Sequence, residues 1–253
     1  MQAPLLGGLA LRYFDGSRSV PSWNRLHPFD RLNGVRTSGS APGYALGPGS
    51  NPYGAAQPSI IRHAISAIPE PGRCHFVDLG CGKGRPPLIA TEYGFASITG
   101  VEWSKALARI ARRNAETIAS AHPSRTRVAI VNGDALAYEL PPSALVIFAY
   151  NPFGQPQMRA LVERVEASLR ARWRELYVIS YNPVWAELFD ASPLLERRFA
   201  AQIPYDASEI GYGPDDTDAV VIWQERGNPA PRPPGDPAAR VRVTVPGMRA
   251  EIA

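Results

Sequence analysis

The sequence predicts an α/β fold: a doubly wound, mostly parallel seven-stranded sheet whose last strand runs antiparallel. Three observations carry that expectation. From residue 57 onward, short apolar runs alternate with longer stretches of helical periodicity. A loop containing Gly80, Gly82 and Gly84 separates the first apolar run from a helix. The last two runs have no helical stretch between them, so the chain must turn back on itself there.

The elements follow in order. Residues 57–68 read as a helix with Pro58 in its first turn and Ile60, Ile61, Ala64 and Ile68 on one face. Residues 74–79 form a buried strand, 86–93 a short helix stopped by Gly94, and 97–102 a second strand. Ser104 caps a helix in which Leu107, Ile110, Ala111, Asn114, Ala115 and Ile118 make the inward stripe. Arg109, Arg112, Arg113 and Glu116 make its solvated face. Residues 127–131, 144–150 and 176–181 are three more strands, the last two joined by a helix with Met158, Leu161, Val162, Val165 and Leu169 inward. Five strands with helical crossovers make a parallel sheet. A short helix at 184–189 and strands at 195–203 and 219–224 complete it.

The flanks differ in composition. Residues 1–56 are rich in Gly, Pro, Ser and Arg with scattered aromatics (Tyr13, Phe14, Trp23, Phe29, Tyr44, Tyr53), an irregular extension expected to wrap onto the domain at 57–226 as part of a lid. Residues 227–253 are a Pro-rich tail in which "RVRVTV" alternates like an edge strand.

At 253 residues and 45% hydrophobic the chain holds one large domain rather than two. Lys83 and Lys105 are the only lysines among 27 basic residues, the signature of a GC-rich bacterial genome. A net charge of +4 without a basic run is a solvated surface more than a nucleic-acid footprint. Two cysteines, Cys74 and Cys81, suggest no disulfide framework, and no segment is apolar enough for a membrane span, so a cytoplasmic protein is expected. His27, His63, His75 and His122 show no ligand spacing, and no metal is expected.

The glycine loop, "VDLGCGKGR", narrows the chemistry. A phosphate loop needs Gly-Lys-Ser/Thr, which is missing, and a dinucleotide fingerprint needs its third glycine where Arg85 stands. Asp78 precedes the loop; a carboxylate there repels pyrophosphate and suits a cationic amine. S-adenosylmethionine carries such an amine. Glu102, ending the second strand, is placed to accept both ribose hydroxyls, Trp103 offers a face for adenine, and Asp134 with Ala135 follows the third strand to meet the adenine amino group. Singly, each has a plain alternative: a strand end, a core cap, a turn cap. Together, "VDLGCGKG", "GVEWS", "GDA" and "YNPFG" resemble the ordered motifs of the class I S-adenosylmethionine-dependent methyltransferases, from about residue 57 to 224. That resemblance implies cofactor contacts from Asp78, Gly80, Cys81, Gly82, Gly84, Glu102, Trp103, Asp134 and Ala135.

"YNPFG" resembles the Asp/Asn-Pro-Pro-aromatic motif of methyltransferases acting on amino groups, with Phe153 in place of the second Pro. The resemblance implies that the Asn151 oxygen and the Pro152 carbonyl accept N–H bonds from the acceptor. An Asn-Pro turn is the plain alternative. A second "YNP" at residues 181–183 places Asn182 beside Asn151 on the neighbouring strand, and "NPYGAAQPS" is similar to an element of protein-lysine methyltransferases, which brings in Tyr53 and Gln57. The expected reaction is N-methylation of a protein or small-molecule amine. Nucleic-acid methylation is the runner-up, followed by a NAD-dependent oxidoreductase and a non-catalytic binding protein of the same fold.

Overall fold

The computed structural model describes residues 10–12, 25–43, 47, 49–213, 215–245 and 248–252. Tyr13, Phe14, Trp23 and Tyr44, expected to help the N-terminal extension wrap onto the domain, lie outside the described residues.

In chain order the elements are β1 (Ala10–Arg12), α1 (Pro28–Asn33), β2 (Ser40–Ala41), β3 (Tyr53–Gly54), α2 (Pro58–Ser66), β4 (His75–Leu79), α3 (Arg85–Ala90), β5 (Ser97–Glu102), α4 (Lys105–Ala121) and β6 (Val128–Asn132). There follow β7 (Leu145–Tyr150), α5 (Gln155–Ala171), β8 (Leu176–Tyr181), α6 (Ala186–Asp190), β9 (Leu195–Pro204), β10 (Thr217–Glu225), β11 (Val241–Val245) and β12 (Met248–Ile252). The large sheet has the order β6-β5-β4-β7-β8-β10-β9. β4 to β8 pair in parallel, while β10 lies antiparallel between β8 and β9.

The strands lie where apolar runs predict them, because a sheet covered on both faces buries every residue of its central strands. β7 and β8 are buried along nearly their whole length. Helix α5 turns Met158, Leu161, Val162, Val165 and Leu169 to one face of the sheet, each worth about 1.5–3 kcal/mol when fully buried. α2 covers the other face with Ile60, Ile61, Ala64 and Ile65. In α4, capped by Ser104, which accepts from the Leu107 N–H, Ala108 is buried where the stripe predicted Ile110, which is half-buried.

Two features matter for the site. The chain leaves β4 in one direction and returns to β7 on its other side, so the loops diverge at the C-terminal ends of these strands and open a crevice. Residues 27–43, 47 and 49–56 run across that crevice and are tied down from below. Asp30, fully buried at the start of α1, accepts N–H bonds from Thr37 and Ser38 at 2.7 Å each, and faces the buried Arg85 guanidinium at 3.5 Å. Arg85 also donates to Thr37 Oγ1 at 2.6 Å and to the Ala56 carbonyl at 2.9 Å. At the other end of the chain, β11 pairs with β12, and Val241 and Val243 enter the core on the α5 side.

Candidate active site

The crevice is a cavity of about 740 Å³. Its floor is built from the C-terminal ends of β4, β5, β6, β7 and β8, which bring in Asp78, Gly80, Cys81 and Gly82, then Glu102 and Trp103, then Asp134 and Ala135, then Asn151, Pro152 and Phe153, and finally Asn182. The N-terminal segment supplies the roof, with Tyr53 among it.

The glycine loop is not an anion cradle. The N–H groups of Gly80 and Cys81 both donate to the Val101 carbonyl, at 2.9 and 3.0 Å, and Gly84 N–H donates to the Cys81 carbonyl at 2.8 Å. Gly82 N–H donates to Glu102 Oε2 at 2.8 Å. Lys83 is also engaged, its Nζ donating to the Ser38 carbonyl. What the loop requires is closeness: a Cβ on Gly82, at φ +56°, would lie 2.2 Å from the Tyr53 ring. Gly84 differs from its expected role. It faces helix α4, where a Cβ would sit 3.3 Å from Ala111 Cβ, and it is not among the residues lining the cavity.

The two carboxylates at the ends of β4 and β5 are placed differently. Glu102, 4% exposed, takes Gly82 N–H on one oxygen and Ser104 N–H on the other, the second also at 2.8 Å. Burial raises its pKa and the two N–H bonds oppose the rise, while each oxygen keeps lone-pair capacity toward the cavity. Asp78, 2% exposed, has an Oδ2 with no partner. Burial, then the Glu102 charge, push its pKa well above the carboxylate range. A carboxyl so held lacks a cation.

Trp103 is half-exposed, its backbone fixed by Asn132, whose Nδ2 donates to the Glu102 and Trp103 carbonyls at 2.8 Å each. Asp134 Oδ1 accepts Leu136 N–H at 2.8 Å, so the turn-cap reading holds for one oxygen while the residue also lines the cavity. Cys81 packs against Gly100, and burial pushes its thiol pKa up.

At the ends of β7 and β8, Tyr150 pairs with Tyr181 in register, so Asn151 and Asn182 leave adjacent strands at the same level, both with left-handed φ, +37° and +50°. Their amides have separate engagements. Asn182 exchanges hydrogen bonds with the backbone of Thr244 in β11, donating at 2.7 Å and accepting at 2.8 Å. Asn151 meets Asn51, which the sequence analysis did not single out. Asn51 Nδ2 donates to the Asn151 carbonyl at 2.8 Å, to Asn151 Oδ1 at 3.2 Å and to the Phe153 carbonyl at 3.1 Å, and its N–H takes the Pro152 carbonyl at 3.0 Å. The signal was present: "NPYG" at residues 51–54 nearly repeats "NPFG" at 151–154. Gln57 is not brought to the cavity. It is 1% exposed at the N-cap of α2, with Oε1 3.1 Å from His27 Nε2. Asp218 in β10 also lines the cavity and was likewise missed, since nothing local marks an acidic residue at the start of an apolar run.

Among the described residues no group of three or more His, Cys, Asp or Glu is arranged to hold a metal ion, and no helix is long and apolar enough to cross a membrane.

Residues 76–172 match the family model of a methyltransferase domain. Among solved structures, a candidate O-methyltransferase from Klebsiella pneumoniae is 13% identical over 83% of this chain and 92% of its own, with a TM-score of 0.51. A candidate class I S-adenosylmethionine-dependent methyltransferase from Listeria monocytogenes is 12% identical over 70% of this chain, with a TM-score of 0.51; the chain spans 62% of that protein. An O-methyltransferase from Bacillus cereus, solved in complex with SAH, is 17% identical over 68% of this chain and 82% of its own, with a TM-score of 0.49. A search of curated protein sequences found no match. The shared feature is the fold.

Proposed function

We infer that this chain, whose seven-stranded sheet is that of the class I S-adenosylmethionine-dependent methyltransferases, binds S-adenosylmethionine in the cavity and methylates an amino nitrogen of a protein or small molecule. The observation that carries the reading is the buried, unpartnered Oδ2 of Asp78 in a cavity that also holds Glu102. When bound, the cofactor supplies a methyl carbon activated by a positively charged sulfur. Asp78 holds its ammonium, Glu102 its ribose hydroxyls, Trp103 one adenine face, and Asp134 with Ala135 the adenine edge. Gly80, Cys81 and Gly82 shape the floor beneath it.

The acceptor side rests on Asn151, Pro152 and Phe153. Asn51 Nδ2 is an NH₂ group already seated on three oxygens of that loop. The acceptor amine takes the same seat, so the residues around Asn51 act as part of a lid that yields to substrate. Asn182 gives shape to the pocket wall, and Tyr53 holds the loop to the lid. The lining supports a cationic ligand: it holds Asp78, Glu102, Asp134 and Asp218 against one guanidinium, that of Arg85, which Asp30 already faces. The same lining counts against the runner-up, a nucleic acid, whose phosphates it repels.

Thermal shift with three ligands tests the cofactor. S-adenosylhomocysteine should raise the melting temperature, and NAD and ATP should not. Equal stabilisation by NAD would overturn the reading. Methyl transfer from labelled cofactor into cell extract then tests the acceptor: the label should be protease-sensitive or in small amines, and nuclease-sensitive label would favour the runner-up.

A further inference from the structure

The cavity holds a buried carboxylate for which the cofactor has no use. Asp218 lies near the start of β10, which runs antiparallel to β8, so it reaches the same sheet edge as Asn182. It is 4% exposed and lines the cavity. Its Oδ2 accepts hydroxyl bonds from Tyr181 and, at 2.5 Å, from Tyr205, which fix the carboxyl in place. Among the described residues its Oδ1 accepts no hydrogen bond and no ion pair engages the group. Tyr150 stacks on Tyr181 with ring centroids 4.1 Å apart, so an aromatic wall stands beside the acid.

Charge and distance decide what this arrangement can bind. Burial lifts the Asp218 pKa only to about 6, so near neutral pH the group is an anion without a counter-ion in poorly solvating surroundings. An acid next to aromatic rings attracts a cation through both its charge and the ring quadrupoles. The cofactor's ammonium does not serve it. In the sheet order, β7 and β8 separate Asp78 on β4 from Asp218 on β10, three strand spacings or roughly 14 Å.

We propose that Asp218 is the counter-ion and proton acceptor for the methyl acceptor, and that this acceptor is a primary alkylammonium, free or at the end of a side chain. The proposal rests on the methyltransferase reading and names its substrate class. In the step, which precedes seating of the neutral amine at Asn151, one N–H bond of the ammonium breaks and an O–H bond forms on Asp218. The electron pair stays on nitrogen as the lone pair that methyl transfer requires, and the proton passes to water when the cavity opens. A neutral aromatic amine or an alcohol brings no charge to offset the buried carboxylate.

Calorimetric titration of the full chain, saturated with S-adenosylhomocysteine near neutral pH, tests this with n-butylammonium, n-hexylammonium and the two matching alcohols. At least one ammonium should bind tenfold or more tightly than its alcohol. Asp218→Asn should abolish that preference while S-adenosylhomocysteine affinity stays within twofold, and Tyr205→Phe, which keeps the carboxylate, should retain it. Equal binding of ammonium and alcohol, no ammonium binding, or an undiminished preference in Asp218→Asn overturns the proposal. Should Asp218→Asn not fold, wild-type protein with ring-labelled tyrosine replaces it: ammonium must shift the Tyr181 and Tyr205 signals, and unmoved signals overturn the proposal. Failure of the wild type to bind S-adenosylhomocysteine is a separate outcome, which removes the methyltransferase reading and this proposal with it.

Discussion

A carboxylate buried without a cation costs free energy that only a ligand can return, and Asp78 is such a group. Asp78→Asn keeps the shape and removes the charge. It should raise the melting temperature of the ligand-free protein by a few degrees, while S-adenosylhomocysteine binds about tenfold or more weakly by calorimetry. Glu102 behaves differently because its oxygens already hold Gly82 N–H and Ser104 N–H. Glu102→Ala should therefore weaken ligand binding by ~1.5–3 kcal/mol and also lower stability, since two backbone donors lose their partners. Unchanged affinity in either variant would place that residue outside the cofactor site. At this scale the sequence was informative about Asp78 and Glu102, whose types and offsets from the loop are local facts. It was silent about Asp218, whose partners lie 37 and 13 residues away along the chain, and for Asn51 it offered only the near-repeat of "NPFG" 100 residues on.

Between elements, the coupling of "NPYG" to "NPFG" is the contact that joins roof to floor. Asn51 donates to Asn151, Gly154 N–H donates to the Gly49 carbonyl at 2.9 Å, and the Tyr53 ring sits on Gly82. If the acceptor amine takes the seat of Asn51 Nδ2, Asn151→Ala should cut the rate of methyl transfer by ~10²-fold while S-adenosylhomocysteine affinity stays within about twofold, because orientation is lost and cofactor contacts survive. A fully active Asn151→Ala would reduce Asn151 to a turn residue. Asn51→Ala should lower stability, and combined with Asn151→Ala it should depart from additivity by ~0.5–3 kcal/mol in a double-mutant cycle of unfolding. Most elements were legible because central strands are continuous apolar runs and α5 shows one clean stripe; β5 and β8 begin and end where the apolar pattern does. Helix α1 was not, since its six residues bury Phe29 and Asp30, and a buried Asp carries no periodic signal until Arg85 and Thr37 are seen around it.

For the molecule as a whole, the distribution of buried acids sets an unusual response to pH. Burial raises the pKa of Asp78, Glu102, Glu187, Glu209 and Glu225, and that of Asp218 from 3.8 to about 6. An acid whose folded pKa exceeds its unfolded one binds more protons in the native state, so its contribution is full below the unfolded value and is lost as pH rises through the folded one. For Asp218 that loss runs from pH 3.8 to about 6, and Asp78, also raised well above 3.8, adds to it. His27 opposes it: burial lowers its pKa from 6.5 to about 4, so its contribution is lost as pH falls across that interval. Asp218 and His27 act in opposite directions across nearly the same interval, so Asp78 is read by difference: the melting temperature of ligand-free Asp78→Asn should exceed that of the wild type by more near pH 7 than near pH 4. A bound ammonium reverses the balance at Asp78 by favouring its ionised form. The stabilisation by S-adenosylhomocysteine, read as the difference in melting temperature, should therefore grow from pH 5.5 to pH 8, with net proton release in calorimetry run in buffers of different ionisation enthalpy. In Asp78→Asn both the growth and much of the proton release should disappear. Stabilisation that is flat with pH in the wild type would mean that Asp78 does not meet the ligand's amine.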